Sequence, residues 1–518
     1  MGFMSAIANE LNNEKQLTEN GAVGFRTTGK KLLDLNFSVA SMRGASEQQI
    51  INKFMDAYWE NPVYAVKWLF YCRDCREGLG ERRFFRTVIK QLAQDKPEVV
   101  KKVLVFASEY GRWDDLWTLL ETDLADDVVE LVQGQLAKDF KNMTENKSIS
   151  LLAKWMPSIN TSSEITKKYA SILCKKMEDT PRSYRKFLSK MRKYIDVVEC
   201  KMSAKQWGEI NYEAVPSRAN LIYNDAFLRN DEDRRRAYLG ALEKGEAKIN
   251  AGTLFPHDIV HKYGGNRYSL RSYDATLEGL WKALPDTVKG CGNTIVVADG
   301  SGSMTCNVGG NTGVTALEVA NALAIYFAER SSGEFKDKYI TFSESPQLVD
   351  FSAAKTLRDK IQIALSHSEV ANTNVEAVFD LILSTAVNNH MSQEDMPANI
   401  LIVSDMEFDS CATTNTTYRS SGWYSYRAAP TATLFDTIAK KYAAHGYKLP
   451  RLVFWNVNSR TGTIPVKEND LGVALVSGFS VNIVNMVMSS KLDPYECLLD
   501  VLNTERYQPI EDVIKDIC

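Results

Sequence analysis

The chain lacks the short motifs that mark the common enzyme sites. It has no G-x-x-x-x-G-K-S/T loop to cradle the phosphates of a nucleotide. Ser301 cannot stand in a G-x-S-x-G nucleophile elbow, because position 299 is Asp. His257 and His261 have the spacing of two ligands on one helix face, but no H-E-x-x-H accompanies them. Cys72 and Cys75 form a C-x-x-C inside a helical pattern without the second pair that a zinc site needs. Nine cysteines, an odd number scattered from Cys72 to Cys518, do not make a secreted disulfide framework. The opening MGFMSAIANE has no basic region followed by an apolar core, and Ala6 stands where a myristoylation pattern wants Ser or Thr. One uncharged run, Leu471 to Ser490, reaches membrane-spanning length, yet Asn482, Asn485 and two glycines divide it into a strand, a turn and a short helix. These absences lead us to expect a cytoplasmic protein with no membrane partner.

What is present divides the chain. The 518 residues are enough for two or three domains with sizeable cores, and a net charge of −3 is unremarkable in itself. Its distribution is uneven: residues 1–290 hold 45 Lys+Arg against 39 Asp+Glu, and the rest of the chain 17 against 26. The two parts are therefore expected to meet different partners.

Residues 45–289 read as an α-helical array. Apolar residues recur at three- and four-residue spacing in stretches such as NPVYAVKWLFYCRDC and ERRFFRTVIKQLA. Thr180 caps one helix, Pro181 takes its first position, and Leu188, Met191, Ile195 and Val198 form its apolar stripe. Residues 290–488 change texture. Short apolar strands (TIVVAD, KYITF, LVDF, ILIVSD, RLVFWNV, GVALVSG) alternate with amphipathic helices, the pattern of a mostly parallel, Rossmann-like sheet covered on both faces. Residues 1–44 form a partly extended leading segment, and residues 489–518 are expected to pack back on the helical domain. The fold class is thus α plus α/β, multidomain.

In such sheets ligands bind beyond the carboxyl ends of the strands. The stretch TIVVADGSGSMTC places Asp299, Ser301 and Ser303 there in a D-x-S-x-S spacing. ILIVSD ends in Asp405, and Thr373 precedes a helix between the two. Two carboxylates and three hydroxyls are hard oxygen donors suited to Mg²⁺ or Mn²⁺, with Ca²⁺ also admissible, and a partner's carboxylate could complete the shell. Gly300 and Gly302 let the turn tighten. Asp409 in DMEFD rivals Asp405. The other reading of DGSGSM is a strand–turn–helix cap. Such a metal could also activate water, but His367, the nearest histidine in sequence, has no general-base setting.

The helical part carries basic stripes. From Thr166 to Trp207 there are 12 Lys+Arg against 4 Asp+Glu, including Lys175, Lys176, Arg182, Arg185, Lys186, Lys190 and Lys193. A second group, Arg73, Arg76, Arg82, Arg83 and Arg86, is interleaved with Trp68, Tyr71, Phe84 and Phe85. Positive charge beside aromatic rings is what a single-stranded nucleic acid needs, although most charge runs are solvated helix faces.

DGSGSM resembles the metal-ion-dependent adhesion site (MIDAS) of von Willebrand factor A domains, with Asp299, Ser301, Ser303, Thr373 and Asp405 at the ligand positions. Met406 follows Asp405 where many such domains have Gly. A helical array joined to such a domain resembles the Ro autoantigen family, whose TROVE module of HEAT-like helices closes into an RNA-binding ring. The phrases YCRDCREGLGERRFFR, EYGRWDDLW, KWMPSINTS, YRKFLSKMRKYIDVVE, VPSRANLIYNDAF and DMEFD resemble an uncharacterised relative of that family found in bacteria, phages, fungi and plants. CREGLGER departs from the relatives' IRGGKGER by one Gly and one Lys. The resemblance implies a non-enzymatic ribonucleoprotein scaffold binding small non-coding or misfolded single-stranded RNA, with Mg²⁺ and a partner's carboxylate at the sheet. The alternatives are a protein-binding adaptor without RNA and a metal-dependent hydrolase.

Overall fold

The computed structural model describes residues 15–264, 270–288, 293–309, 313–342, 345–368, 374–409, 418–421, 424–427, 434–465, 473–483 and 493–518. The chain forms two compact units, one of residues 46–254 with 502–518, the other of residues up to 45 with 255–501.

The first unit is helical. Its longer helices are Glu47–Glu60, Pro62–Arg73, Arg82–Asp95, Ala125–Thr144, Glu164–Lys176, Pro181–Ile195, Ser217–Asn230 and Glu232–Glu243. Side-chain caps fix several starts. Ser46 and Gln49 close a capping box, Asn61 caps the next helix, and the Thr180 hydroxyl accepts from Ser183 N ahead of Pro181. Aromatic edges knit the first helices together: Trp68 to Phe84 and Phe70 to Phe85, each at 5.4 Å between ring centroids.

The last residues complete this unit. The Tyr507 ring stacks on Tyr110 at 5.6 Å, and its hydroxyl donates to Asp74 at 3.1 Å. Arg506 also pairs with Asp74, which is fully buried. The helix Gln508–Ile514 supplies Glu511, whose carboxylate meets the fully buried Lys67 at 2.6 Å.

The second unit is built on a sheet. A short antiparallel hairpin, β1 (Lys15–Leu17) and β2 (Val23–Phe25), comes first in the chain. Six strands follow: β3 (Thr294–Asp299), β4 (Lys338–Phe342), β5 (Gln347–Asp350), β6 (Asn399–Ser404), then β9 (Arg451–Asn456) and β10 (Val473–Ser477) after a separate hairpin of β7 (Tyr418–Ser421) with β8 (Tyr424–Arg427). The order is β10-β9-β6-β3-β4-β5, parallel throughout except for β5 on β4. The central strands are buried along almost their whole length, as continuous apolar runs require of a sheet covered on both faces. Helix Ala316–Arg330 is buried on all sides from Ala316 to Ala328, which its many alanines permit.

Residues 255–288 belong with the sheet unit although their pattern is helical. The reason lies in Glu278, whose buried carboxylate accepts from Leu357 N at 2.8 Å and Arg358 N at 3.1 Å. Trp281 Nε1 likewise donates to Glu329 at 2.6 Å. Among the described residues no helix is long and apolar enough to cross a membrane.

The buried Lys67 makes a stability test. Lys67 is buried while Glu511 is one-third exposed, and Lys67 Nζ also donates to Asn503 Oδ1 at 3.0 Å, so loss of Glu511 leaves a buried ammonium with a neutral partner only. Glu511→Ala should cost about 1–2 kcal/mol by chemical denaturation, less than for a fully buried pair, and Lys67→Met in the same chain should recover most of it. A silent Glu511→Ala would show that the C-terminal helix does not hold Lys67.

Candidate functional site

β3 and β6 are parallel neighbours, and the chain passes from β3 to β4 on one side before reaching β6 on the other. The strand order therefore reverses between β3 and β6, the position where open α/β sheets bind ligands. Asp299 ends β3, and Asp405 follows the last residue of β6. Gly300 turns the chain against the next strand, its N–H donating to Phe342 O at 2.8 Å. A Cβ there would lie 3.0 Å from the Thr341 hydroxyl.

Both carboxylates are 1% exposed. Asp299 is served by two donors: Ser301 N–H reaches Oδ1 at 2.9 Å, and the Ser404 hydroxyl reaches Oδ2 at 2.6 Å. Burial still raises its pKa, and the charge of Asp409 adds to the rise. The Asp405 carboxyl is pushed up to about 7, by burial first and then by the charge of Asp299. Its Oδ2 has no hydrogen-bond partner among the described residues, and the guanidinium of Arg460 stands 3.6 Å away. The hydroxyls of Ser301 and Ser303 lie 3.0 Å from each other.

The structure thus gathers Asp299, Ser301, Ser303 and Asp405, with Asp409 close enough to act on Asp299. Thr373 lies outside the described residues. The gathered groups are hard oxygen donors with one buried carboxylate oxygen unsatisfied, and such a set fits Mg²⁺ or Mn²⁺. Among the described residues no cluster of three or more His, Cys, Asp or Glu is placed to hold a metal. The candidate site depends on hydroxyls for half its donors.

Other groups singled out in the sequence sit in structural settings. The His257 ring packs between Phe255 and Phe479 at 5.7 and 5.1 Å, and His261 faces Glu318 at 3.1 Å. His367 Nδ1 lies 2.8 Å from Ile363 O in its own helix. Cys72 is buried and Cys75 half-buried. A cavity of about 520 Å³, lined by Asn293, Ala398 and Pro450 among others, opens before the first residues of β3, β6 and β9, at the end of the sheet away from the carboxylates.

The basic residues of the helical unit divide into two kinds. Arg73 is buried on Asp115 at 2.7 Å, and Arg86 is half-buried on Asp114 and Asp115. Arg76, Arg82 and Arg83 are exposed, with Arg76 donating to Glu109 O. On helix Pro181–Ile195, Arg182, Arg185, Lys186, Lys190 and Lys193 are all exposed, and Lys190 lies over the half-exposed Phe140 ring at 5.5 Å. Phe140 in turn packs on Phe187 at 6.4 Å. Lys175 and Lys176 are exposed, with Lys176 paired to Asp126 at 2.6 Å. Arg192 turns inward to Ala153 O, Ser158 and Met156 O.

Ser404, Glu407, Arg460 and Arg112 escape the sequence reading. Ser404, Glu407 and Arg112 stand inside ILIVSD, DMEFD and EYGRWDDLW, but nothing local marks their roles.

Replacing Asp405 by Asn removes one of two buried like charges. With metal chelated, Asp405→Asn should raise the thermal midpoint by several degrees, each kcal/mol being worth about 2–4 °C in a domain of this size. An unchanged or lower midpoint would show that the two carboxylates are already compensated.

Residues 18–128 and 121–294 match the family described as Domain of unknown function (DUF2828), and residues 293–508 match Domain of unknown function (DUF7788). The chain is 29% identical over 533 residues to Uncharacterized protein L728 of Acanthamoeba polyphaga mimivirus, covering 95% of this chain and 88% of the viral one. Among solved structures it is similar to the Ro (RSR) protein of Deinococcus radiodurans, with a TM-score of 0.32 and 12% identity over 93% of each chain.

Proposed function

This chain belongs to the DUF2828 family, and we propose that it is a non-enzymatic RNA-binding scaffold carrying a Mg²⁺-dependent site for a partner's carboxylate. The observation that carries the metal site is the unsatisfied Oδ2 of Asp405, buried beside Asp299 at the strand-order reversal. Asp299, Ser301, Ser303 and Asp405 would hold the ion, which supplies an electrophilic centre for an acidic ligand. The protein's own part is to keep two carboxylates and two hydroxyls converged where water is scarce. On this reading the sheet unit is a von Willebrand factor A fold and the helices are HEAT-like repeats of a Ro-like ring.

The RNA reading rests on the exposed basic face of helix Pro181–Ile195 and on the half-exposed Phe140 beside Lys190. Among the described residues, Arg182, Arg185, Lys186 and Lys193 enter no ion pair, so their charge is available to phosphates.

Two measurements test the halves separately. Mn²⁺ titrated calorimetrically should bind the wild-type chain, and Asp405→Asn should abolish the heat. Binding of labelled single-stranded RNA should weaken steeply with salt. Changing Lys186, Lys190 and Lys193 together to Ala should lower that log–log slope by about 2, at roughly 0.7 per lost phosphate contact. A flat salt dependence in the wild-type chain would leave the carboxylate-binding adaptor as the better reading.

A further inference from the structure

One nitrogen stands between two carboxylates at the edge of the candidate metal site. Arg460 Nη2 pairs with Glu19 Oε2 at 2.6 Å, and the same atom lies 3.6 Å from Asp405 Oδ2. The nearer acid is exposed, whereas the farther one is buried. At 3.6 Å the contact with Asp405 is an ion pair without a hydrogen bond, and Oδ2 has no other partner among the described residues. An exposed carboxylate gains little from a counter-charge, but a buried one is costly without it. Glu19 therefore has the better geometry and Asp405 the greater need.

The backbone nearby is built to keep this guanidinium within reach of both. Glu407, itself fully buried, accepts from Arg460 N and Thr461 N at 2.9 Å through Oε1, and from Glu19 N at 2.8 Å through Oε2. Asn20 Nδ2 donates to Glu407 O at 2.7 Å. One acid thus fixes both the turn between β1 and β2, which carries Glu19, and the loop after β9, which carries Arg460. All of these groups belong to the sheet unit. Neither anchor uses the side chain of Arg460 or Glu19. With 37% of its side chain exposed, Arg460 can turn from one acid to the other without repacking the core.

We infer that Arg460 is a built-in competitor for the metal site, neutralising Asp405 when no divalent cation is bound and turning to Glu19 when one binds. This inference rests on the metal reading of Asp299 and Asp405. A guanidinium and a divalent cation repel each other at the same carboxylate oxygen, so binding of the ion requires Arg460 to move. Glu19 gives the displaced charge a partner and so makes that move easier. It sets the affinity of the site without being a ligand.

Calorimetric titration of Mn²⁺ into the full chain reads the competition. Arg460→Gln should bind Mn²⁺ about tenfold tighter than the wild-type chain. Glu19→Gln should bind it about threefold more weakly, because Arg460 then stays at Asp405. In the Arg460→Gln chain, Glu19→Gln should have no further effect, whereas two independent charges would act additively. Additive effects, or an unchanged affinity in Arg460→Gln, overturn the competition and leave the metal site standing. Absence of Mn²⁺ binding in every chain overturns the metal reading, and the competition with it. Binding in Arg460→Gln alone supports both. A second measurement needs no metal. In chelator, Arg460→Gln should lower the thermal midpoint of the wild-type chain and leave that of Asp405→Asn unchanged. An equal effect in both backgrounds shows that Arg460 does not compensate Asp405 and overturns the inference.

Discussion

Two carboxylates that burial sets against each other govern the sheet unit. Asp299 and Asp405 stand at the ends of adjacent parallel strands, each 1% exposed; burial raises the cost of ionising both, and the charge of Asp299 adds to that of Asp405. A fold selected for stability alone would place an apolar pair here, because buried charges without partners are expensive. Instead the surroundings are shaped to keep both carboxyls. Ser301 N–H and the Ser404 hydroxyl satisfy Asp299, and Gly300 lets the turn pass close to Thr341.

The comparison with Glu407 shows which carboxylate is structural. It lies two residues beyond Asp405 and is fully buried as well. Yet Glu407 accepts from Arg460 N and Thr461 N at 2.9 Å, from the Thr461 hydroxyl at 3.0 Å and from Glu19 N at 2.8 Å. It therefore ties the turn after β1 and the loop after β9 to the end of β6, and it delivers Arg460 to the neighbourhood of Asp405. Between the two acids Met406 adopts φ 63°, a left-handed conformation costing roughly 1–2 kcal/mol for a residue with a Cβ. A buried methionine holds that conformation here. Equal burial with unequal hydrogen bonding separates Glu407, which holds the fold, from Asp405, whose Oδ2 keeps no hydrogen-bond partner among the described residues.

Much of this architecture was legible in the residues. The continuous apolar strands, the Thr180–Pro181 helix start and the acid-hydroxyl spacing after TIVVA are local signals, and each depends on neighbours within a few positions. The roles of Glu407 and of the arginines are not local. Arg73 and Arg82 look alike in the sequence, but Arg73 is neutralised by an aspartate 42 residues away while Arg82 has no such partner among the described residues. Membership of residues 255–288 in the sheet unit depends on Glu278 reaching amides 79 and 80 residues further on. Periodicity reports a helix there and says nothing about its neighbours.

The same reasoning ties the carboxylates to the arginines. Net charge differs between the two parts of the sequence, but that asymmetry spreads over dozens of solvated side chains and locates nothing. Local imbalance does. In the sheet unit two acids face one partly exposed arginine where strand order reverses. In the helical unit Arg73, Arg86 and Arg112 share Asp114 and Asp115, and the buried Glu81 stands at the N-cap of helix Arg82–Asp95. Like charges held together weaken a folded state unless something of opposite sign joins them. The physical criterion is therefore an excess that the fold's own hydrogen bonds and ion pairs leave uncancelled. The Oδ2 atom of Asp405 meets it and the carboxylate of Glu407 does not.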